Sequence, residues 1–166
     1  MLSQQTPLFS AGMTPSSGCR STPTLFTIGY EQLLPPELVN ELVAAGVERL
    51  IDVRYRPQSR RPGMSKTRLG EMLGDHEIAY EHRKALGTPP DIRWLYRAGR
   101  NAEAREAFGA HVEATASEEL DALAAELDRA PVTALMCLEA DPAACHRRVL
   151  AQALRRRRPE LVVVDL

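Results

Sequence analysis

The residues best suited to chemistry gather in the last third of the chain, where Cys137-Leu138-Glu139 is followed by Asp141-Pro142 and then Cys145-His146-Arg147-Arg148. A thiol near a helix start and beside an imidazole is in the setting that turns cysteine into a nucleophile. Cys145 is one such candidate, with His146 placed to position or share a proton. A blander reading competes. Cys145 and His146 continue into Val149, Leu150 and Ala153 on one helical face, and a buried thiol and a hydrogen-bonded core imidazole are common on such a face. Metal ligation by Cys137, Cys145 and His146 finds no support in spacing, which follows no standard zinc motif, and Cys137 lies in a run that reads as buried. No metal ligand is expected, and the cofactor is left open. Glu139 and Glu31 are candidates for proton transfer, since a partly desolvated carboxylate near arginines can be tuned for that work. An ion pair of Glu139 with Arg54 or Arg147 explains it equally well. Asp52 either caps the loop after it or orients Arg54 through a bidentate pair.

Cations are distributed unevenly around a formal net charge of -1. Residues 54 to 68 hold six basic residues and no acidic one, whereas residues 101 to 128 hold eight acidic and one basic. The basic stretch is suited to an anionic ligand, a nucleotide or phosphorylated metabolite, gripped by Arg54, Arg147 and Arg60. A nucleic-acid module is the alternative, its backbone track made of 54 to 68 with Arg83, Lys84 and the run Arg155 to Arg158. A partner-binding protein using the acidic helical face is a third reading. Trp94 and Tyr96 among Arg93, Arg97 and Arg100 mix aromatic and cationic groups as stacking platforms do, although packing of a short helix onto the core is the simpler expectation.

These residues need a scaffold. The 166 residues have room for one domain with a proper core. Hydrophobic residues at 44% and charged residues at 26% describe a globular chain, and no apolar run approaches the about 20 residues that span a bilayer. Residues 1 to 23, rich in Ser, Thr and Pro, read as a loose tail ahead of a single domain over 24 to 166. The three cysteines, Cys19, Cys137 and Cys145, form no disulfide framework, which suits a reducing, cytoplasmic setting. Oligomeric state is left open. From Leu25 onward, short apolar runs alternate with amphipathic ones. Strands are expected at 25–30, 49–54, 78–82, 132–138 and 161–166. Helices are expected over 35–45, after a Ser65 cap, over 91–129 with Ser117 as an internal cap, and from Asp141 to about Arg156. Gly46 closes the first helix. This alternation implies a three-layer α/β domain with a mainly parallel five-stranded sheet, in the order 3-2-1-4-5. Ligands in such sheets bind beyond the carboxyl ends of the strands, at a switch point that this order puts between the first and fourth strands. Glu31, Asp52, Arg54, His82 and Glu139 all sit at strand ends and converge there.

The chain lacks a phosphate loop, G-x-G-x-x-G, H-E-x-x-H and G-x-S-x-G, which argues against the standard enzymes built on those motifs. Thr27-Ile28-Gly29-Tyr30-Glu31, Ile51-Asp52-Val53-Arg54 with Pro57, Ser59, Arg60, Pro62, Gly63 and Ser65, Tyr80-Glu81-His82 with Leu86-Gly87, and the Cys137 to Arg148 segment occur in order. Together they resemble the bacterial and archaeal domain-of-unknown-function family numbered 488. Met64 stands where that family's P-G-F-S segment has an aromatic, and Gln32 where glycine is expected. The resemblance implies the same α/β arrangement and brings no reaction with it. Its signature positions include Gly29, Tyr30, Asp52, Arg54, Ser59, His82, Glu139, Cys145, His146 and Arg147. The expected site therefore combines Glu139, His146, Glu31 and Cys145 as catalytic groups. Gly29, Tyr30, Asp52, Arg54, Ser59, Arg60, His82 and Arg147 are its expected ligand contacts.

Overall fold

The computed structural model describes residues 22–129 and 131–166, so Cys19 and most of the expected tail lie outside the described residues. The elements run β1 (Thr24–Gly29), α1 (Pro35–Ala44), β2 (Arg49–Asp52), α2 (Lys66–Gly74), β3 (Ala79–His82), α3 (Pro90–Arg97), α4 (Asn101–Thr115), α5 (Ser117–Glu126), β4 (Thr133–Cys137), α6 (Arg147–Arg157) and β5 (Val162–Asp165). The five strands form one sheet in which every pairing is parallel, an α/β fold as expected. Its order is β3-β2-β4-β1-β5, so β4 lies between β2 and β1 instead of outside β1. Burial explains the exchange. All five residues of β4 are buried, which suits the middle of a sheet covered on both faces, while Val162 and Val164 of β5 are exposed, as an edge strand allows.

Helices α1 and α2 cover one face, where Leu38, Leu42, Leu69 and Leu73 pack with Ile28, Leu50 and Met136. The other face carries α3 to α6, whose Phe108, Leu120, Leu123 and Leu150 meet Leu25, Ile51 and Leu135. The chain therefore leaves β1 and β2 toward one face and leaves β4 toward the other. A crevice opens at the carboxyl end of β4 against both neighbours, so the expected switch point between β1 and β4 survives the change of order.

Local chemistry sets the boundaries. Pro35 and Pro36 begin α1, where Glu37 accepts a hydrogen bond from the Leu34 amide at 2.6 Å. Gly46 follows α1 with φ +69°, a conformation that favours glycine. Asp141 caps through its side chain, which accepts from the Ala143 amide at 2.8 Å. What it caps is a single 3-10 turn, Pro142–Ala144, and not the expected long helix. Cys145 then adopts extended backbone and His146 is the N-cap of α6. Ser65 precedes α2 but its hydroxyl donates to the Ser59 carbonyl instead of capping. Ser117 opens α5, and its hydroxyl accepts from Arg157 at 3.0 Å. Trp94, expected to pack inward, is 57% exposed.

Candidate functional site

Strand pairing beyond the regular ladder aligns the three loops that build the site. The Tyr30 and Glu31 amides donate to the Cys137 and Leu138 carbonyls at 3.3 and 2.8 Å, and the Val53 amide donates to the Met136 carbonyl at 3.0 Å. Gly29 is needed at this junction, because a Cβ there would overlap the Glu139 carbonyl oxygen and lie 2.8 Å from a guanidinium nitrogen of Arg147. Between these strand ends lies a cavity of about 390 Å³. Tyr30 and Glu31 line it from β1, Arg54 to Arg56 and Gln58 from β2, and Cys137 to Glu139 from β4. Cys145 and His146 line it from the turn before α6, and Thr88, Arg93, Tyr96 and Arg97 from the segment after β3.

The β2 wall is a buried ionic cluster. Asp52 is 0% exposed and accepts from the Arg54 amide at 3.0 Å and from its guanidinium at 2.6 to 3.1 Å. Tyr80 donates its hydroxyl to the same carboxylate at 2.6 Å. Arg54 also donates to the Tyr30 hydroxyl and the Met64 carbonyl at 3.0 and 2.8 Å. Burial pulls the Arg54 guanidinium down, but Asp52 beside it more than offsets this and leaves it raised. Burial, followed by the Asp52 carboxylate, pushes the Tyr80 phenol up. Asp52 thus orients Arg54, and the two together hold Tyr30 in place.

The floor holds the reactive groups. His146 donates from Nε2 to the Val53 carbonyl at 2.9 Å, which leaves Nδ1 facing two sulfurs, Cys137 Sγ at 3.5 Å and Cys145 Sγ at 3.8 Å. The Cys137 thiol donates to Glu139 Oε2 at 3.1 Å. The Phe108 ring meets the imidazole edge-on, with centroids 5.2 Å apart. Burial pushes the Cys145 thiol well up, so the helix start and imidazole do not by themselves make it the low-pKa nucleophile that the sequence suggested.

Several expected contacts prove to be supports. Arg147 is 0% exposed and donates to Thr27 Oγ1 at 3.1 Å, to the Glu139 carbonyl and to the Ala140 carbonyl at 2.7 Å. With its donors committed to protein oxygens it holds the β4 loop, which corrects its expected role in gripping an anion. The imidazole of His82 bonds the Arg54 carbonyl at 2.8 Å from behind the cavity. Ser59 lies in the basic loop, where its hydroxyl accepts from the Arg61 amide at 3.1 Å. Arg60 is exposed and does not line the cavity. Its neighbour Arg61 is the structured residue, donating to the carbonyls of Tyr30, Glu31 and Leu33 at 2.6, 2.8 and 2.6 Å. Glu31 lines the cavity while accepting from the Ala140 amide at 3.1 Å.

Sequence reasoning missed Thr88 and favoured packing over a stacking platform for Tyr96. Both hydroxyl oxygens are buried and have no hydrogen-bond partner among the described residues. Burial pushes the Tyr96 phenol up. The placement of Thr88 straight after Leu86-Gly87, in the segment that follows the third strand, was the available signal. The other charged features are largely consumed internally. Arg156 and Arg157 pair with Glu113, and Arg158 with Asp128 and Glu160. Arg83 reaches Glu81, Glu119 and Glu126. Both the expected nucleic-acid track and the acidic face are thereby reduced.

Fold and cavity define an all-parallel, doubly wound α/β protein with a pocket at the carboxyl edge of its central strands. The family described as domain of unknown function DUF488 matches residues 35–154, and the chain belongs to that family. The match begins after β1 and ends before β5, so Thr27 to Glu31 lie outside it. Neither curated proteins nor solved structures gave a match. Among the described residues no helix is long and apolar enough to cross a membrane.

Proposed function

We propose that the protein binds a small anionic organic ligand, of the nucleotide or sugar-phosphate class, in the cavity at the carboxyl ends of β1, β2 and β4, and acts on it enzymatically. The observation that carries this reading is the pair of buried, unpartnered hydroxyls, Thr88 Oγ1 and Tyr96 Oη, in the wall of a cavity that also presents Arg56, Arg93 and Arg97. A buried hydroxyl without a partner costs roughly 1–3 kcal/mol, a cost that protein interiors normally avoid. None of the three arginines has an ion-pair partner among the described residues, so they are available to an anion as Arg54 and Arg147 are not. Tyr30, Tyr55 and Tyr96 offer aromatic surface for a base or sugar ring. Glu139 would move a proton, with the Cys137 thiol and His146 beside it. Two buried, unbridged thiols suit the cytoplasmic setting proposed for the chain.

Titration calorimetry with nucleoside monophosphates and sugar phosphates tests the reading. Binding by at least one of them is expected, weakened in Arg93→Ala and Arg97→Ala. Absence of heat across both sets, or affinity unchanged in both variants, overturns it.

A further inference from the structure

We propose that Cys137, Cys145 and His146 are the three protein ligands of a zinc ion on the floor of the cavity. Their donor atoms, two Sγ and one imidazole nitrogen, all lie within 4.8 Å of one another and all three residues are buried. A tetrahedral ion with bonds of about 2.3 Å to sulfur and about 2.0–2.1 Å to nitrogen holds those atoms about 3.5 Å apart. The observed Nδ1 to Sγ separations are 3.5 and 3.8 Å. Two of the three edges are thus already spaced as in such a tetrahedron, and the third, Sγ to Sγ, lies within 4.8 Å.

The surroundings support ligation. The Val53 carbonyl holds the Nε2 proton, which fixes the tautomer that points a lone pair from Nδ1 at the sulfurs. Phe108 fixes the plane of the same ring. Cys145 Sγ accepts from the Arg147 amide at 3.5 Å, a bond that strengthens as the sulfur becomes a thiolate. Two thiolates and one imidazole are a soft tetrahedral donor set that selects zinc over magnesium or calcium, both of which require oxygen ligands. All three residues line the cavity that Glu139 also lines, so water or substrate from the cavity would complete the coordination, as in zinc sites that keep a place for one. The site stands on its donor set alone and does not depend on the anionic-ligand reading.

Titration of the metal-free full chain with cobalt(II) tests the proposal without any knowledge of the substrate. One equivalent should give the near-ultraviolet thiolate-to-cobalt charge-transfer band and the intense visible bands of a tetrahedral site, both displaced by zinc. Cys137→Ser and Cys145→Ser should each lose roughly half of the charge-transfer intensity, whereas Cys19→Ser should retain all of it. X-ray absorption of zinc-loaded wild type gives a result even where a variant fails to fold, with two sulfur scatterers at about 2.3 Å expected. No charge-transfer band, a band lost in Cys19→Ser, or zinc surrounded only by nitrogen and oxygen overturns the proposal. Nucleotide binding by a protein with no such band would refute this site and leave the ligand reading standing.

Discussion

Replacing Asp52 with asparagine isolates what holds the β2 wall together. The carboxylate is fully buried, and Oδ1 accepts from the Arg54 amide and Nε at 3.0 and 2.9 Å. Oδ2 accepts from the terminal nitrogen of Arg54 and from the Tyr80 hydroxyl, both at 2.6 Å. An asparagine can keep its oxygen on the first side, but its amide nitrogen then faces the Arg54 guanidinium, which it cannot satisfy, and can only donate to the Tyr80 hydroxyl in place of accepting from it. Two short bonds to a charged acceptor are lost, at about 1.5–3 kcal/mol each, and Arg54 remains buried without its counter-charge. The summed loss is about 3–5 kcal/mol, the range for removing one partner of a buried ion pair. Urea unfolding of wild type, Asp52→Asn and Tyr80→Phe measures it. Tyr80→Phe should cost only about 1–2 kcal/mol, because it removes one donor and leaves the ion pair intact. A loss below about 1 kcal/mol for Asp52→Asn, or equal losses for the two variants, would refute the assignment of Asp52 as the anchor of this wall.

The remaining expectations concern the junction, the cavity wall and the far helices. Gly29→Ala should destabilise by about 3 kcal/mol, because the clash is with the backbone of Glu139; a calorimetric scan should show a Tm lower by roughly 10 °C. Thr88→Val removes an unpartnered buried hydroxyl at nearly constant shape, so thermal stability should hold or rise while ligand affinity falls. A clear drop in Tm would instead mean that the hydroxyl is satisfied in the free protein. On the far side, the guanidinium of Arg157, with Arg156, holds Glu113 down to about 2 against an ordinary 4.5. A depressed carboxylate contributes stability that is fully present above pH 4.5 and lost as the pH falls toward 2. Solvent at this partly exposed pair limits the contribution to about 1 kcal/mol. Acid unfolding of Glu113→Gln should accordingly converge on wild type near pH 2 and fall below it above pH 5.

The carboxyl edge was legible in the sequence because parallel strands carry their ends to one side whatever their order, so Tyr30, Glu31, Arg54 and Glu139 meet in either arrangement. The order itself was not. Pairing decides it, and the apolar run of β1 resembles that of β4; only the burial of every β4 residue separates them. Within the cation-rich stretches, residues one apart have opposite fates. Arg61 is spent on three carbonyls while Arg60 is exposed, and Arg147 is sealed in while Arg148 is not. The carbonyls that make the difference come from segments about 30 residues away for Arg61 and from the β4 loop for Arg147, which no local pattern announces. Spacing argued against Cys137, Cys145 and His146 as metal ligands for a more specific reason. A helix continuous from Asp141 would place Cys145 inside its second turn with the sulfur on the helix face. The 3-10 turn at Pro142–Ala144 ends instead in an extended Cys145, and the break turns Sγ toward His146 Nδ1 and the end of β4. The spacing of Cys137, Cys145 and His146 follows no standard motif, so their convergence, which depends on this interruption, shows only in the folded backbone.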